Sequence, residues 1–399
     1  MTTIAHHSDY LCAAASRLGS ESAFEVLARA KAIEATGRRV VHMEIGEPDF
    51  DTPDHIKRAG IRAIEENYSH YTPSAGIPEL RDTIAAYASA FRGLAEPYSR
   101  ENVVVGAGAK PIIWNLLSAL LDPGDELLYA DPAYPAYASA ASYLEAKAIP
   151  VHLLEARNWR LDLDELTAKI TPKTKAIVIN SPHNPTGGVL TREDLETIAA
   201  LAKQHNVLVI ADEIYSRNIY GPTFESITRI DGMRERTIIV DGFSKAYAMT
   251  GWRLGYCIAP EEIAKRVTLF NNNTFSCVAT FVQRAGIAAL AGDDAPVQKM
   301  NATFRERRDA IVSGLNTIPG VSCTIPEGAF YAFPNVSQLT TDDKHLAKWL
   351  LENAGVACLG GSSFGAAGKG YLRFSYAASL DDIGWALEQL REALPRYSA

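Results

Sequence analysis

Between residues 102 and 240 the chain repeats one short pattern. Nearly uninterrupted apolar runs occur at 102–105 (NVVV), 126–129 (ELLY), 175–179 (KAIVI), 207–210 (VLVI) and 237–240 (TIIV). Val, Ile and Leu without polar alternation suit strands covered on both faces, as in a parallel sheet. Helix-like spans, among them 112–121 and 192–204, separate most of these runs. The alternation predicts an α/β fold: a large domain built on a doubly wound, mostly parallel sheet. An amphipathic helix is expected over 21–37, followed by a short strand in VVHMEIG. A long helical pattern over 295–315 leads to a smaller α+β domain, where VSCTI, AFYAFP, VACLG and YLRFSY are expected as short strands. The expected division is 1–50 for an N-terminal arm and part of the small domain, 51–295 for the large domain, and 296–399 for the C-terminal small domain.

In open α/β sheets ligands bind beyond the carboxyl ends of the strands, so the loops there hold the candidates. After residue 105 comes GAGAKPIIWNLL. Its glycines let backbone approach an anion and Pro111 suits a first helical turn, although a plain tight turn has the same composition. After 129 comes ADPAYPAY, where Tyr134 offers either a flat face to a planar ligand or packing for its own domain. After 179, in NSPHNPTGG, Asn184 precedes a proline in a chain reversal that can aim its amide at a ligand or serve the turn alone. After 210, in ADEIY, Asp212 is a candidate buried carboxylate needing a positive partner, or a helix cap. Tyr215 follows it, facing either the same cleft or the core.

After 240 comes DGFSKAYAMTGWRLGY. Lys245 sits among Phe243, Ala246, Tyr247 and Met249, where desolvation would lower its pKa and make the amine a nucleophile toward aldehydes. Arg253, eight residues on, is a donor fork suited to phosphate. An aldehyde for the lysine, a phosphate for the glycine turn and arginine, a flat ring for Tyr134 and a basic ring nitrogen for Asp212 together describe pyridoxal 5'-phosphate.

From GEPDFDTP through HYTPSAGIPELR, LDPGDE, SPHNPTGG, ADEIY and SKAYAMTGWRLGY to YLRFSYA, nearly the whole chain resembles the fold-type-I, class I/II aminotransferase family. The resemblance implies that Lys245 forms the Schiff base with the cofactor and that Asp212 partners the pyridine nitrogen. It implies that Asn184 and Tyr215 hydrogen-bond the ring hydroxyl, that Tyr134 stacks on the ring, and that Gly108, Ala109 and Lys110 form the phosphate turn. Tyr71 resembles the tyrosine that reaches the phosphate from a neighbouring subunit, which implies a homodimer with shared active sites. Arg373 resembles the clamp for the substrate α-carboxylate, assisted by the backbone of Gly46. Many relatives have serine three residues before the lysine; here Gly242 stands there, and Ser244, next to Lys245, is the candidate hydroxyl for the phosphate.

The implied reaction is transamination between an L-amino acid and a 2-oxo acid. Its rivals are a C–S or β-lyase on the same scaffold, which begins from the same carbanion, and a non-catalytic sensor module, which would need an N-terminal helix-turn-helix. A net charge of −8 argues against nucleic acid or an anionic membrane as partner. No leader, membrane span or metal site is expected. The five scattered cysteines, without CxxC, suit a cytoplasmic protein. The absence of an obvious extra arginine for a side-chain carboxylate favours neutral, aromatic or broad amino donors.

Overall fold

The computed structural model describes residues 10–19 and 22–397. In chain order its strands are β1 (Val41–His42), β2 (Val103–Gly106), β3 (Glu126–Asp131), β4 (Lys147–Leu154), β5 (Arg160–Leu161), β6 (Thr174–Asn180), β7 (Leu208–Asp212), β8 (Thr237–Gly242) and β9 (Gly255–Ile258). The short strands β10 (Tyr331–Ala332), β11 (Val356–Ala357), β12 (Leu359–Gly360) and β13 (Leu372–Ser375) follow. Strands β2 to β9 form one sheet in the order β2-β9-β8-β7-β6-β3-β4-β5. The neighbours from β4 through β3, β6 and β7 to β8 are parallel, while β9 lies antiparallel between β8 and β2. This is the mostly parallel α/β sheet that the apolar rhythm predicts.

Helices cover both faces. Ile112 and Leu116 of the helix Ala109–Leu120 and Ile198 of Arg192–His205 pack with Val178, Val209 and Val240. On the other face Leu80 and Ile84 of Pro78–Phe91 pack with Val105, Ile239 and Phe243. A separate core joins Phe304, Ile311 and Leu315 of the helix Ala295–Leu315 to Leu346, Leu350 and Leu387. There β10, β13 and β12 form an antiparallel sheet, and β1 pairs with β11, so the chain before residue 50 meets the C-terminal elements.

Three local expectations change. The first helix runs Ser22–Glu34, and Glu21, where the sequence pattern begins it, lies outside the described residues. VSCTI forms no strand: only Ser322 bridges, to Asn335, while the Cys323 N–H and carbonyl turn to the Asn316 side chain. Strand β4, by contrast, lacks a legible signal, since Pro150 interrupts it and much of it is only partly buried.

Close backbone packing positions the first loop of the sheet. Gly108 has φ +100°, open to glycine and strained for other residues. A Cβ on Gly255 of β9 would lie 2.6 Å from the Ala109 nitrogen and 2.7 Å from the Gly108 carbonyl carbon. Both obstacles are backbone, so Gly255→Ala should cost about 1–3 kcal/mol as overpacking. A thermal unfolding midpoint a few degrees lower would register that cost, and an unchanged midpoint would contradict it.

Candidate active site

The carboxyl ends of the strands open onto a cavity of about 510 Å³. Asp212 is the last residue of β7, and Asn180 the last of β6. Strand β8 ends at Gly242 and leads into the turn carrying Ser244 and Lys245. These residues line the cavity with Ala109, Lys110, Tyr134, Asn184, Tyr215 and Arg253. Gly46 and Arg373 close it from the other side, Arg373 projecting from β13. Gly108 stands behind the wall, where a Cβ would fall 2.6 Å from Arg253 Nη2. Tyr71 is the exception: it is 90% exposed and outside this cavity.

Asp212 is buried among uncharged donors. Tyr137 Oη donates to its Oδ2 at 2.5 Å, and the Ile214 N–H donates to Oδ1 at 3.2 Å. The Asn180 amide also holds the Asp212 carbonyl, at 2.9 Å. Burial pushes the Asp212 carboxyl up to about 6, against the lowering effect of the Tyr137 and Ile214 hydrogen bonds. A cationic ligand atom beside it would favour ionisation and offset the desolvation. The site therefore suits a protonated ring nitrogen.

At the opposite end the helix Ala109–Leu120 starts without a side-chain cap. Its first N–H groups and the positive end of its dipole form an anion seat. Arg253 stands beside it in the left-handed region (φ 55°), with Nη1 donating to the Thr250 carbonyl at 2.8 Å. Lys245 Nζ donates to the Gly46 carbonyl at 2.5 Å. The cavity thus presents an anion seat, an amine and a carboxylate that favours a cation. Tyr134 adds an aromatic wall. This set matches the phosphate, aldehyde, ring and ring nitrogen of pyridoxal phosphate.

Arg373 is buried. It donates through Nη2 to the Glu44 carbonyl at 2.5 Å and through Nη1 to Asn184 Oδ1 at 3.2 Å. Tyr331 and Phe364 lie against the guanidinium, at 4.5 and 4.8 Å from their ring centroids. Its Nε has no hydrogen-bond acceptor among the described residues. A buried cation of this kind fits an incoming carboxylate. Tyr215 Oη and Tyr331 Oη share a hydrogen bond of 2.7 Å, and burial raises the Tyr215 hydroxyl well above its usual range.

Three residues that the sequence left unmarked belong here. Tyr137 lies three residues beyond Tyr134 in AYPAY, a spacing that could have flagged it. Asn180 ends its strand as Asp212 ends the next, a positional signal. Tyr331 comes from β10 and has no local signal for this cavity.

The chain matches the family model "Aminotransferase class I and II" over residues 38–390. It is 41% identical to an aspartate aminotransferase of Pyrococcus horikoshii, covering 89% of this chain and 90% of that protein. It is 39% identical to a probable aspartate/prephenate aminotransferase of Aquifex aeolicus, covering 96% and 98%. The solved aspartate aminotransferase of Thermus thermophilus with maleate superposes with a TM-score of 0.92 at 35% identity, over 96% of this chain and 99% of that one. With a fold and a cavity of this kind and likeness along almost its full length, the chain belongs to the class I and II aminotransferases and is a pyridoxal-phosphate-dependent transaminase.

Proposed function

We propose that this cavity binds pyridoxal phosphate and moves an amino group from an L-amino acid to a 2-oxo acid, with Lys245 as the acid–base residue. The observation that carries the reading is the gathering of Lys245, Asp212 and Arg373 around one cavity from segments far apart in the chain. When bound, the cofactor supplies an aldehyde and an electron-accepting ring. The N–H groups at the start of the helix Ala109–Leu120, with Arg253 and Ser244, hold its phosphate. Asp212 holds the proton on the ring nitrogen. Asn184 and Tyr215 hydrogen-bond the ring hydroxyl, and Tyr134 stacks on the ring. Arg373 binds the substrate α-carboxylate, the Gly46 backbone assists, and the fixed guanidinium orients the Cα–H bond. Lys245 Nζ moves the proton at that Cα.

Tyr71 completes the neighbouring site in a homodimer, a role supported by its exposure on the single chain. Residues near 51–295 form the cofactor-binding domain, and those before 50 and after 296 the arm and small domain. A cytoplasmic setting accords with the cysteines, all free among the described residues. No helix among the described residues is long and apolar enough to cross a membrane. The relatives' names include aspartate and prephenate. A donor panel should therefore join an acidic donor to the neutral and aromatic ones that the sequence favours.

Three outcomes follow. Lys245→Ala should leave a folded protein without measurable transamination of any donor in that panel, and retained turnover would overturn the assignment. Tyr137→Phe removes a hydrogen bond that stabilises the ionised Asp212 carboxyl, so that pKa rises further. The acid limb of kcat/KM should then move about one unit toward higher pH; an unmoved limb would exclude the coupling. Tyr71→Phe should weaken cofactor binding about tenfold if its hydroxyl reaches the partner's phosphate, with the dimer retained in sedimentation. Unchanged affinity, or a monomeric wild type, would remove the shared site.

A further inference from the structure

On the face of the sheet covered by the helix Pro78–Phe91, a group of ionisable side chains has no part in the proposed chemistry. Arg92 follows the helix Pro78–Phe91 at its carboxyl end, and its side chain has no solvent exposure. Nε donates to Glu213 Oε2 at 2.7 Å, and Nη2 donates to Asp241 Oδ2 at 2.9 Å. Glu213 directly follows Asp212, and Asp241 lies four residues before Lys245. The remaining carboxylate oxygens are also occupied. Ser226 Oγ donates to Glu213 Oε1 at 2.7 Å, and the Gly242 N–H donates to Asp241 Oδ1 at 2.7 Å. Tyr256 Oη on β9 donates to Asp241 Oδ2 at 3.2 Å. A fully satisfied buried network of this kind fixes its members in one arrangement.

We propose that Arg92 is a positioning residue for transamination: it ties the end of β7, which carries Asp212, to the end of β8, which leads into Lys245, and it balances the two carboxylates beside Asp212. The inference rests on the roles proposed above for Lys245 and Asp212. Backbone pairing supports the tie, since the Glu213 N–H donates to the Val240 carbonyl at 2.9 Å and so carries the β7–β8 ladder one residue beyond Asp212. The electrostatics support the balance. After burial and its two hydrogen bonds, the influences on the Asp212 carboxyl are repulsion from Asp241 and Glu213. Arg92 holds the Asp241 carboxyl down against the larger upward effect of burial. The charged and titratable groups facing Arg92 are Glu213, Asp241 and Tyr256, with Tyr98 and Arg234 beyond them.

Arg92→Met alone would strand two buried carboxylates and can unfold the chain, so milder variants carry the test. Arg92→Lys keeps the charge and loses the fork. Arg92→Met with Glu213→Gln removes one charge of each sign. Glu213→Gln alone removes one negative charge. For each, three quantities are measured: thermal unfolding, kcat and KM for one amino donor, and the pH midpoint of the visible absorbance of the cofactor-loaded protein.

In the two Arg92 variants kcat should fall on the order of 10²-fold through misplacement, while KM stays within about threefold. The proton whose loss changes the absorbance sits on a cation, so Glu213→Gln should lower the midpoint by about one unit. If stability falls but kcat and the midpoint stay at wild-type values, Arg92 serves the fold alone and the inference is overturned. If neither Arg92 variant folds, the Glu213→Gln midpoint decides. Lys245→Ala would remain inactive in either case, whereas failure of the proposed function would show as an active Lys245→Ala.

Discussion

The site depends on the register between three parallel strands. Asn180 of β6 lies opposite Asp212 of β7, and Asp212 opposite Val240 of β8. Side chains alternate faces along a strand, so a slip of one residue would turn Asp212 away from the cavity and bring a neighbour in. The apolar runs specify that register through burial on both faces. Val209 and Ile210 of β7, and Ile238, Ile239 and Val240 of β8, are almost without exposure. The same apolar pattern that forms the sheet therefore delivers a carboxylate to the cavity at the first polar position after the run.

That delivery has an electrostatic cost, met differently on the two faces. On the helix side Glu213 and Asp241 share a guanidinium in direct contact. On the cavity side Asp212 has only neutral donors, and burial leaves its carboxyl shifted upward. A carboxylate stabilised by neutral dipoles alone gains most from a cation when one arrives. The structural carboxylates are satisfied within the chain, and the one facing the cavity is set to favour a cationic ligand atom.

Much of this was legible in the sequence where local chemistry decides structure. The strand ends, the glycine turn at the helix start and the lysine turn each announce themselves within a few residues, because burial period, glycine and proline act locally. Contacts between distant segments were less accessible. Tyr331 reaches the cavity only because β10 pairs with β13 and sets it beside Arg373. Tyr137 had a spacing signal from Tyr134 but no local sign of its contact with Asp212. VSCTI reads as a strand by composition, yet beyond the single bridge at Ser322 its backbone turns to the Asn316 side chain at Cys323. Strand propensity yields where the tertiary surroundings offer no neighbouring strand to continue the ladder.

The charge layout also explains how an acidic chain handles anionic substrates. With a net charge of −8 the molecule has no general positive field to draw them in. On the proposed reading attraction has to be local, and the cavity offers two cations for it: Arg253 beside the start of the helix Ala109–Leu120, and Arg373 between Tyr331 and Phe364. The second is the more demanding, because its guanidinium is buried and bonded to a carbonyl and an amide oxygen, with no carboxylate hydrogen-bonded to it among the described residues. Those two acceptors fix the plane of the fork and leave its charge for a ligand. A carboxylate held in that plane would have its neighbouring carbon set in direction as well as in place, as the proton transfer proposed for Lys245 requires.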